Sequence, residues 1–312
     1  MENKEKNFAS AIIYVHNAEN NIENFLNTII EVMEKNFEHS EIICVNDFSD
    51  DKSLEIIKNV SNQASLTSVS VVNLSHFHGL ELAMSAGMDL AIGDFVFEFD
   101  NTVLDFKPDE VMKIYYKSLS GFDIVSASPS KEEAFTSKLF YKIFNTFSDV
   151  KYDLTTESFR VLSRRVINRI SDMNRSVPYR KVIYANSGLK VCNLKYDVVQ
   201  VGGKFVNKER SAYRLDLAIE ALILFTDFGY RLSSVMTIMM MIVSALTIVY
   251  SIVIYVTAKP IEGWTTTIIF LSISFFALFA VLTIIIKYLK ILLDLIFKKK
   301  YYSFESIEKL TK

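Results

Sequence analysis

The sequence predicts an α/β domain followed by a two-helix membrane hairpin, and three observations carry that reading. Before Phe99, short apolar runs alternate with amphipathic stretches at helical spacing. Between Arg231 and Lys287, two stretches hold no charged residue, Leu232 to Ala258 and Gly263 to Ile286, parted only by Lys259, Pro260, Ile261 and Glu262. Basic residues gather beside them: Arg231 ahead, and Lys287, Lys290, Lys298, Lys299 and Lys300 behind.

The elements follow in order. Ala9 to Val15 is apolar and partly β-branched and reads as a buried strand; Asn21 to Glu34 places Ile22, Phe25, Leu26, Ile29, Ile30 and Met33 on one helical face. Glu41 to Val45 and Lys52 to Val60 repeat the pair, as do Ser68 to Leu74 and Leu80 to Ala91, and Asp94 to Phe99 supplies a fourth strand. Such alternation predicts a parallel sheet with helices on both faces. A helix over Pro108 to Ser118 and a strand over Gly121 to Ala127 extend it. Lys138 to Phe147 then reads as an aromatic-rich helix and Phe159 to Ile170 as a basic and apolar one. Tyr213 to Phe228 suits a helix in the membrane interface or one packed on the sheet domain, and Ile291 to Phe297 admits the same two readings.

Each uncharged stretch exceeds the roughly 20 residues that cross a bilayer core as a helix. Their lysine flanks place both ends of the chain in the cytoplasm and Lys259 to Glu262 outside, with Tyr255 and Trp264 at the interfaces. Met1 to Asn7 lacks the apolar run of a signal peptide, so the soluble domain is expected to stay cytoplasmic, at an inner or plasma membrane. The expected division is a soluble domain over 1–212, an interfacial helix over 213–230, spans within 231–287 at 233–257 and 264–286, and a basic tail over 288–312. A chain of 312 residues with this anchor supports one sizeable soluble core. A net charge of −2 gives no case for nucleic acid. Cys44 and Cys192 are too isolated for a disulfide framework or metal cluster and read as buried thiols. Interfacial helices and paired spans offer surfaces for self-association as a homo-oligomer.

In open sheets of this class, ligands bind at the carboxyl ends of the strands. The polar residues there are Asn17 and Glu19 after the first strand, Asn46 and Asp47 after the second, and Asp100 after the fourth. A carboxylate in that place suits a divalent cation bridging nucleotide phosphates. Period-two spacing sets Glu98, Asp100 and Thr102 on one side, with Asp105 just beyond. On residue type alone, an acid at a strand end is more often a helix cap or a solvated loop residue. His16, His76 and His78 lack metal-like spacing and read as surface or rim residues, and the methionines from Met236 to Met241 as packing within the first span.

Five segments, in order, resemble family 2 glycosyltransferases of the polyprenyl-phosphate branch. Tyr14-Val-His-Asn-Ala-Glu-Asn-Asn-Ile22 is similar to Pro-Val-Tyr-Asn-Glu-Glu-x-Asn-Ile, and Val45-Asn-Asp-Phe-Ser-Asp-Asp51 to Val-Asp-Asp-Gly-Ser-x-Asp. Phe77-His-Gly-Leu-Glu-Leu-Ala83, running on through Gly87 to Gly93-Asp94, is similar to Asn-Phe-Gly-Lys-Glu-x-Ala with its later Gly-Asp. Asp100-Asn-Thr-Val-Leu-Asp105 falls where the branch has Asp-Ala-Asp-Leu-Gln-Asp, and Ser158-Phe-Arg-Val-Leu-Ser-Arg164 where it has Asp-Phe-Arg-Leu-x-Ser-Arg. The two spans and the tail from Lys298 to Tyr302 look like it too.

The resemblance implies a GT-A fold that binds a UDP- or GDP-linked sugar with Mg2+ or Mn2+ and transfers the sugar to a polyisoprenyl phosphate. It implies nucleoside contacts from Asn17, Glu19 and Asp47, a metal and diphosphate site at Asp100 and Thr102, and catalysis at Asp100 with Arg160 meeting a phosphate. The departures fall on the chemistry. Thr102 stands where a second aspartate belongs, Leu104 where a glutamine does, and Asn46, Ala18 and Ser158 each replace an acid. Val206 stands where a phosphate-binding arginine is expected, with Lys208 and Arg210 close by to substitute. The sequence therefore supports an active, divergent transferase or a scaffold that keeps the fold without the chemistry.

Overall fold

The computed structural model describes residues 4–130, 156–172, 179–199 and 304–311, with scattered positions among 142–146 and 235–292. The chain divides into two compact units, Met1–Asn145 with Val150–Leu217 and Lys299–Lys312, and Thr146–Asp149 with Ala218–Lys298. Most of the expected Lys138 to Phe147 helix, of the interfacial helices and of the hairpin, with Lys208 and Arg210, lies outside the described residues. Among the described residues, no helix is long and apolar enough to cross a membrane.

The elements of the first unit are β1 (Ala9–Val15), α1 (Ile22–Asn36), β2 (Ser40–Asn46), α2 (Ser53–Ser61), β3 (Ser68–Leu74), α3 (Leu80–Leu90), β4 (Phe95–Phe99), α4 (Asp109–Leu119) and β5 (Ile124–Pro129). Then come β6 (Phe159–Ser163), α5 (Arg164–Asp172), α6 (Arg180–Asn186), β7 (Val191–Tyr196) and β8 (Phe304–Lys309). They build one sheet in the order β7-β5-β6-β4-β1-β2-β3-β8. β1 is parallel to both β2 and β4, so the chain leaves β1 toward β2 and β3 and then crosses back to its other side. That reversal opens a crevice at the carboxyl ends of β1 and β4. Val15 pairs with Asn46 and Ile13 with Phe99, which brings His16, Asp47 and Asp100 out on one rim.

All seven residues of β1 are buried, as expected of a strand covered on both faces. Ala11 and Ile13 face a core shared with α1, α2 and α4, while Ile12 and Tyr14 face one shared with α3, α5 and α6. α3 lies so close to the sheet that a Cβ on Gly87 would come within 2.5 Å of Ile12 Cγ2 and 2.8 Å of Val45 Cγ2.

Two expectations are corrected. The sheet is mixed, with antiparallel pairings of β4 to β6, β5 to β6 and β3 to β8. Residues 159–163, expected to be helical, form β6, because the segment is buried on both sides between β4 and β5. Phe159 and Val161 enter one core and Leu162 the other, so a charged residue between them is drawn inward and mimics helical amphipathicity in the sequence. The tail also gains a strand unforeseen in the sequence. β8 caps the β3 edge, where Asn73 Nδ2 donates to Ser306 Oγ at 2.9 Å and Lys58 pairs with Glu308 at 2.7 Å.

Candidate active site

Two polar constructions share the rim. The first is centred on Asp47, which is wholly buried. Its Oδ1 accepts the His78 backbone N–H at 2.8 Å, and its Oδ2 accepts the Gly79 N–H at 2.8 Å and the Tyr14 hydroxyl at 3.0 Å. Backbone donors thus satisfy the carboxylate, which ties the end of β2 to the turn between β3 and α3. Around it the β1–α1 and β2–α2 loops are stitched together. Asn17 Oδ1 accepts from Asp50 N at 3.0 Å, Glu19 Oε2 from Lys52 N at 3.2 Å, and Ser53 Oγ from Ala18 N at 2.8 Å. Asp51 accepts from Glu19 N at 2.9 Å; burial would raise its carboxyl, but its bonds to Ser53 and Glu19 outweigh this and lower it. The edge above is aromatic: the His16 and Phe77 rings stand 4.8 Å apart, and those of His76 and His78 stack at 3.9 Å.

The second construction is an ion-pair lattice at the ends of β4 and β6. Arg160 donates from Nη1 to Glu98 Oε2 at 2.8 Å and from Nη2 to Asp100 Oδ2 at 2.7 Å. Its Nε lies 3.2 Å from Glu157 Oε2 but off the hydrogen-bonding direction, so Glu157 is a charge partner only. Arg180, from α6, reaches Glu81 on α3 at 2.9 Å, Asp100 Oδ1 at 2.8 Å and Glu98 Oε1 at 2.5 Å. The Tyr184 hydroxyl also donates to Glu98 Oε1 at 2.8 Å. Burial alone would raise the Asp100 carboxyl, but the charges of Arg160, then Arg180 and Lys181, hold it well below the usual range. Burial, and after it the Glu98 charge, pushes the Tyr184 hydroxyl well up.

The expected residues therefore divide. Asn17 and Glu19 are exposed on the rim, as the sequence suggested. Asp47 is wholly buried on its three donors, and Arg160, 1% exposed, is paired with Glu98 and Asp100 in the interior rather than standing open on the rim. Asp105 accepts the Tyr196 hydroxyl at 2.9 Å. Arg180 and Glu81 were missed, since Arg180 lies 80 to 99 residues from the acids it binds and leaves no local signal, whereas Glu98 stands beside Asp100 as the spacing suggested.

A divalent ion fits the Asp100–Thr102 position poorly. It would find one carboxylate whose two oxygens already serve two guanidinia, beside the buried hydroxyl-bearing Thr102. Among the described residues, no three His, Cys, Asp or Glu side chains are grouped to hold an ion.

The family model for glycosyl transferase family 2 matches residues 10–170, from β1 into α5, and so takes in the surroundings of Asp47 and the Glu98, Asp100 and Arg160 part of the lattice, but not Arg180 or Tyr184. The chain belongs to glycosyl transferase family 2. An uncharacterized glycosyltransferase of Synechocystis sp. is 31% identical over 194 residues, which span 60% of each chain. The prophage bactoprenol glucosyl transferase homolog of Escherichia coli K12 is 30% identical over 240 residues, 72% of this chain and 74% of that one. The bactoprenol glucosyl transferase of Shigella phage SfV is 29% identical over 281 residues, 83% of this chain and 86% of its own. The GT-A architecture is shared with a mannosyltransferase from Pyrobaculum calidifontis solved with GDP-Man and Mn2+, at a TM-score of 0.51 and 14% identity over 89% of this chain and 88% of that one. This family 2 member thus keeps the fold and carries an arginine-bound acid where the resemblance implied a metal site.

Proposed function

We propose that the chain is a membrane-anchored glycosyltransferase that moves a sugar from a UDP- or GDP-linked donor to a polyisoprenyl phosphate at the cytoplasmic face of an inner or plasma membrane. The observation that carries this reading is the likeness to bactoprenol glucosyl transferase over 83% of the chain, well beyond the sheet domain. The acceptor's phosphate is an anionic nucleophile and needs little general-base help. The protein's work is then to hold the donor and exclude water. Asn17 and Glu19 receive the nucleoside on the open half of the rim, and the lattice fixes Asp100 at the other half. No step is assigned to a divalent ion. The return of β8 to β3 supports the topology, because the chain before and after residues 231–287 must lie on one side of a membrane, as two spans require.

The alternative, a catalytically inactive scaffold or binding protein in glycan assembly, is favoured by the capture of both Asp100 oxygens by guanidinia. The deciding experiment offers full-length protein in detergent undecaprenyl phosphate with labelled UDP-glucose or GDP-mannose. Label in the lipid product supports the transferase. Protein with a cooperative melting transition that labels no lipid from either donor turns the conclusion to the scaffold.

A further inference from the structure

Two non-glycine residues hold left-handed backbone, Asn17 at φ 47° and Phe48 at φ 54°, at the neighbouring ends of β1 and β2. Asparagine visits that region readily, whereas a bulky aromatic there is an outlier. The motif that residues 45–51 resemble has glycine at this place, the residue for which the conformation is free. Phe48 joins neither core in return, and 53% of its surface is exposed.

The strain persists because the flanks are pinned. Asp47 N bonds to Val15 O at 2.8 Å, His16 Nδ1 and Asp47 O are 2.7 Å apart, and Ser49 N donates to Asn46 Oδ1 at 3.2 Å. Asn17 N further bonds to Ser49 Oγ at 3.1 Å. The turn is over-determined around one residue, which leaves Phe48 half exposed on the rim just past the end of β2. Strain held in this way at a rim marks a functional position more often than a framework one, and a bare ring offers a planar base a face to stack on.

We propose that Phe48 is a stacking platform for the base of the bound nucleotide, and so a residue that sets nucleotide affinity. The inference rests on the donor reading above. Phe48→Gly removes the ring and the strain together, so affinity and stability move in opposite directions. Phe48→Asn keeps a residue that tolerates the backbone but lacks the ring, and Phe48→Tyr keeps the ring.

The test is calorimetric binding of UDP, GDP and pyrophosphate to the full chain in detergent, alongside melting temperature. Expected for Phe48→Gly and Phe48→Asn is a loss of about tenfold or more in affinity for whichever nucleotide the wild type binds, with pyrophosphate binding unchanged. The melting temperature of Phe48→Gly should rise by a few degrees, and Phe48→Tyr should bind as the wild type does. Nucleotide affinity within about twofold of wild type in the Gly and Asn variants overturns the platform. So does an equal loss for pyrophosphate, or a fall in melting temperature in both variants, which would make Phe48 a framework residue. If the wild type binds neither nucleotide, the donor reading itself falls; if it binds and the variants match it, only the role of Phe48 does.

Discussion

Asp47 and Asp100 stand at equivalent places, just past the ends of the two strands that flank β1, yet they are stabilised in opposite ways. Asp47 is held by two backbone N–H groups and one hydroxyl from the adjoining strand ends. Asp100 is held by two guanidinia brought from β6 and α6. The two backbone donors of the first arrangement follow from the fold, because a chain that makes the β2 and β3 ends adjacent offers them. The second depends on particular side chains meeting across long separations. The exposed half of the rim is accordingly the one whose acids are held by backbone N–H groups, and the other half is closed around its own counter-ions.

The contrast is broken most severely by Arg180→Ala, which strands Glu81, Glu98 and part of Asp100. A loss of about 3–5 kcal/mol in unfolding free energy is expected, read by thermal or denaturant melts of the detergent-purified protein. Arg180→Lys should recover little of it, because an ammonium cannot fork to three acids. A loss under about 1 kcal/mol would show the lattice to be loosely coupled.

Asp47→Ala is expected to cost about 2–3 kcal/mol, since the His78 and Gly79 N–H groups lose their acceptor in a buried site. Proteolysis near the turn between β3 and α3 should speed up with it. Unchanged cleavage would show that the turn is set by other contacts.

Acid separates the two halves further. The folded Asp100 carboxyl lies below its unfolded value, so its stabilisation is whole above the ordinary carboxylate range. It is lost as pH falls from about 4 toward the lower folded value, at up to about 1.4 kcal/mol per pH unit. Asp100→Asn should be less stable than wild type at neutral pH and flatter across that acid window. An acid limb as steep as the wild type's would place the sensitivity in Asp51, Asp123 or Glu34, which are also lowered. The smallest effect concerns metal: Mn2+ should alter the affinity for UDP or GDP by less than about twofold, as befits a site short of free carboxylates. A large rise in affinity, absent in Asp100→Asn, would show that an ion displaces the guanidinia.

Much of the sheet's first half was legible because β1 to β4 are short apolar runs between amphipathic helices, and local period is what sequence displays. β6 was not, since a strand with a buried arginine between Phe159 and Val161 carries the pattern of a helix. β8 was hidden for another reason: it is an exposed edge strand whose residues gain their partners from β3 and α2, far away in sequence. The rim itself was anticipated, and Asn17 and Glu19 lie on it, but the burial of Asp47 and Arg160 was not.

The sequence by itself determined the alternating α/β framework, the family, and the positions along the rim where polar residues would emerge, because these depend on neighbours within a few residues. Tertiary structure decided which of those residues face a ligand and which are locked in the interior. Arg180 lies 80 residues beyond Asp100, and the ion pair between them forms only where α6 packs against the sheet. Whether a charge is free or neutralised depends on what the fold places within a few ångströms of it, and sequence spacing does not encode that distance.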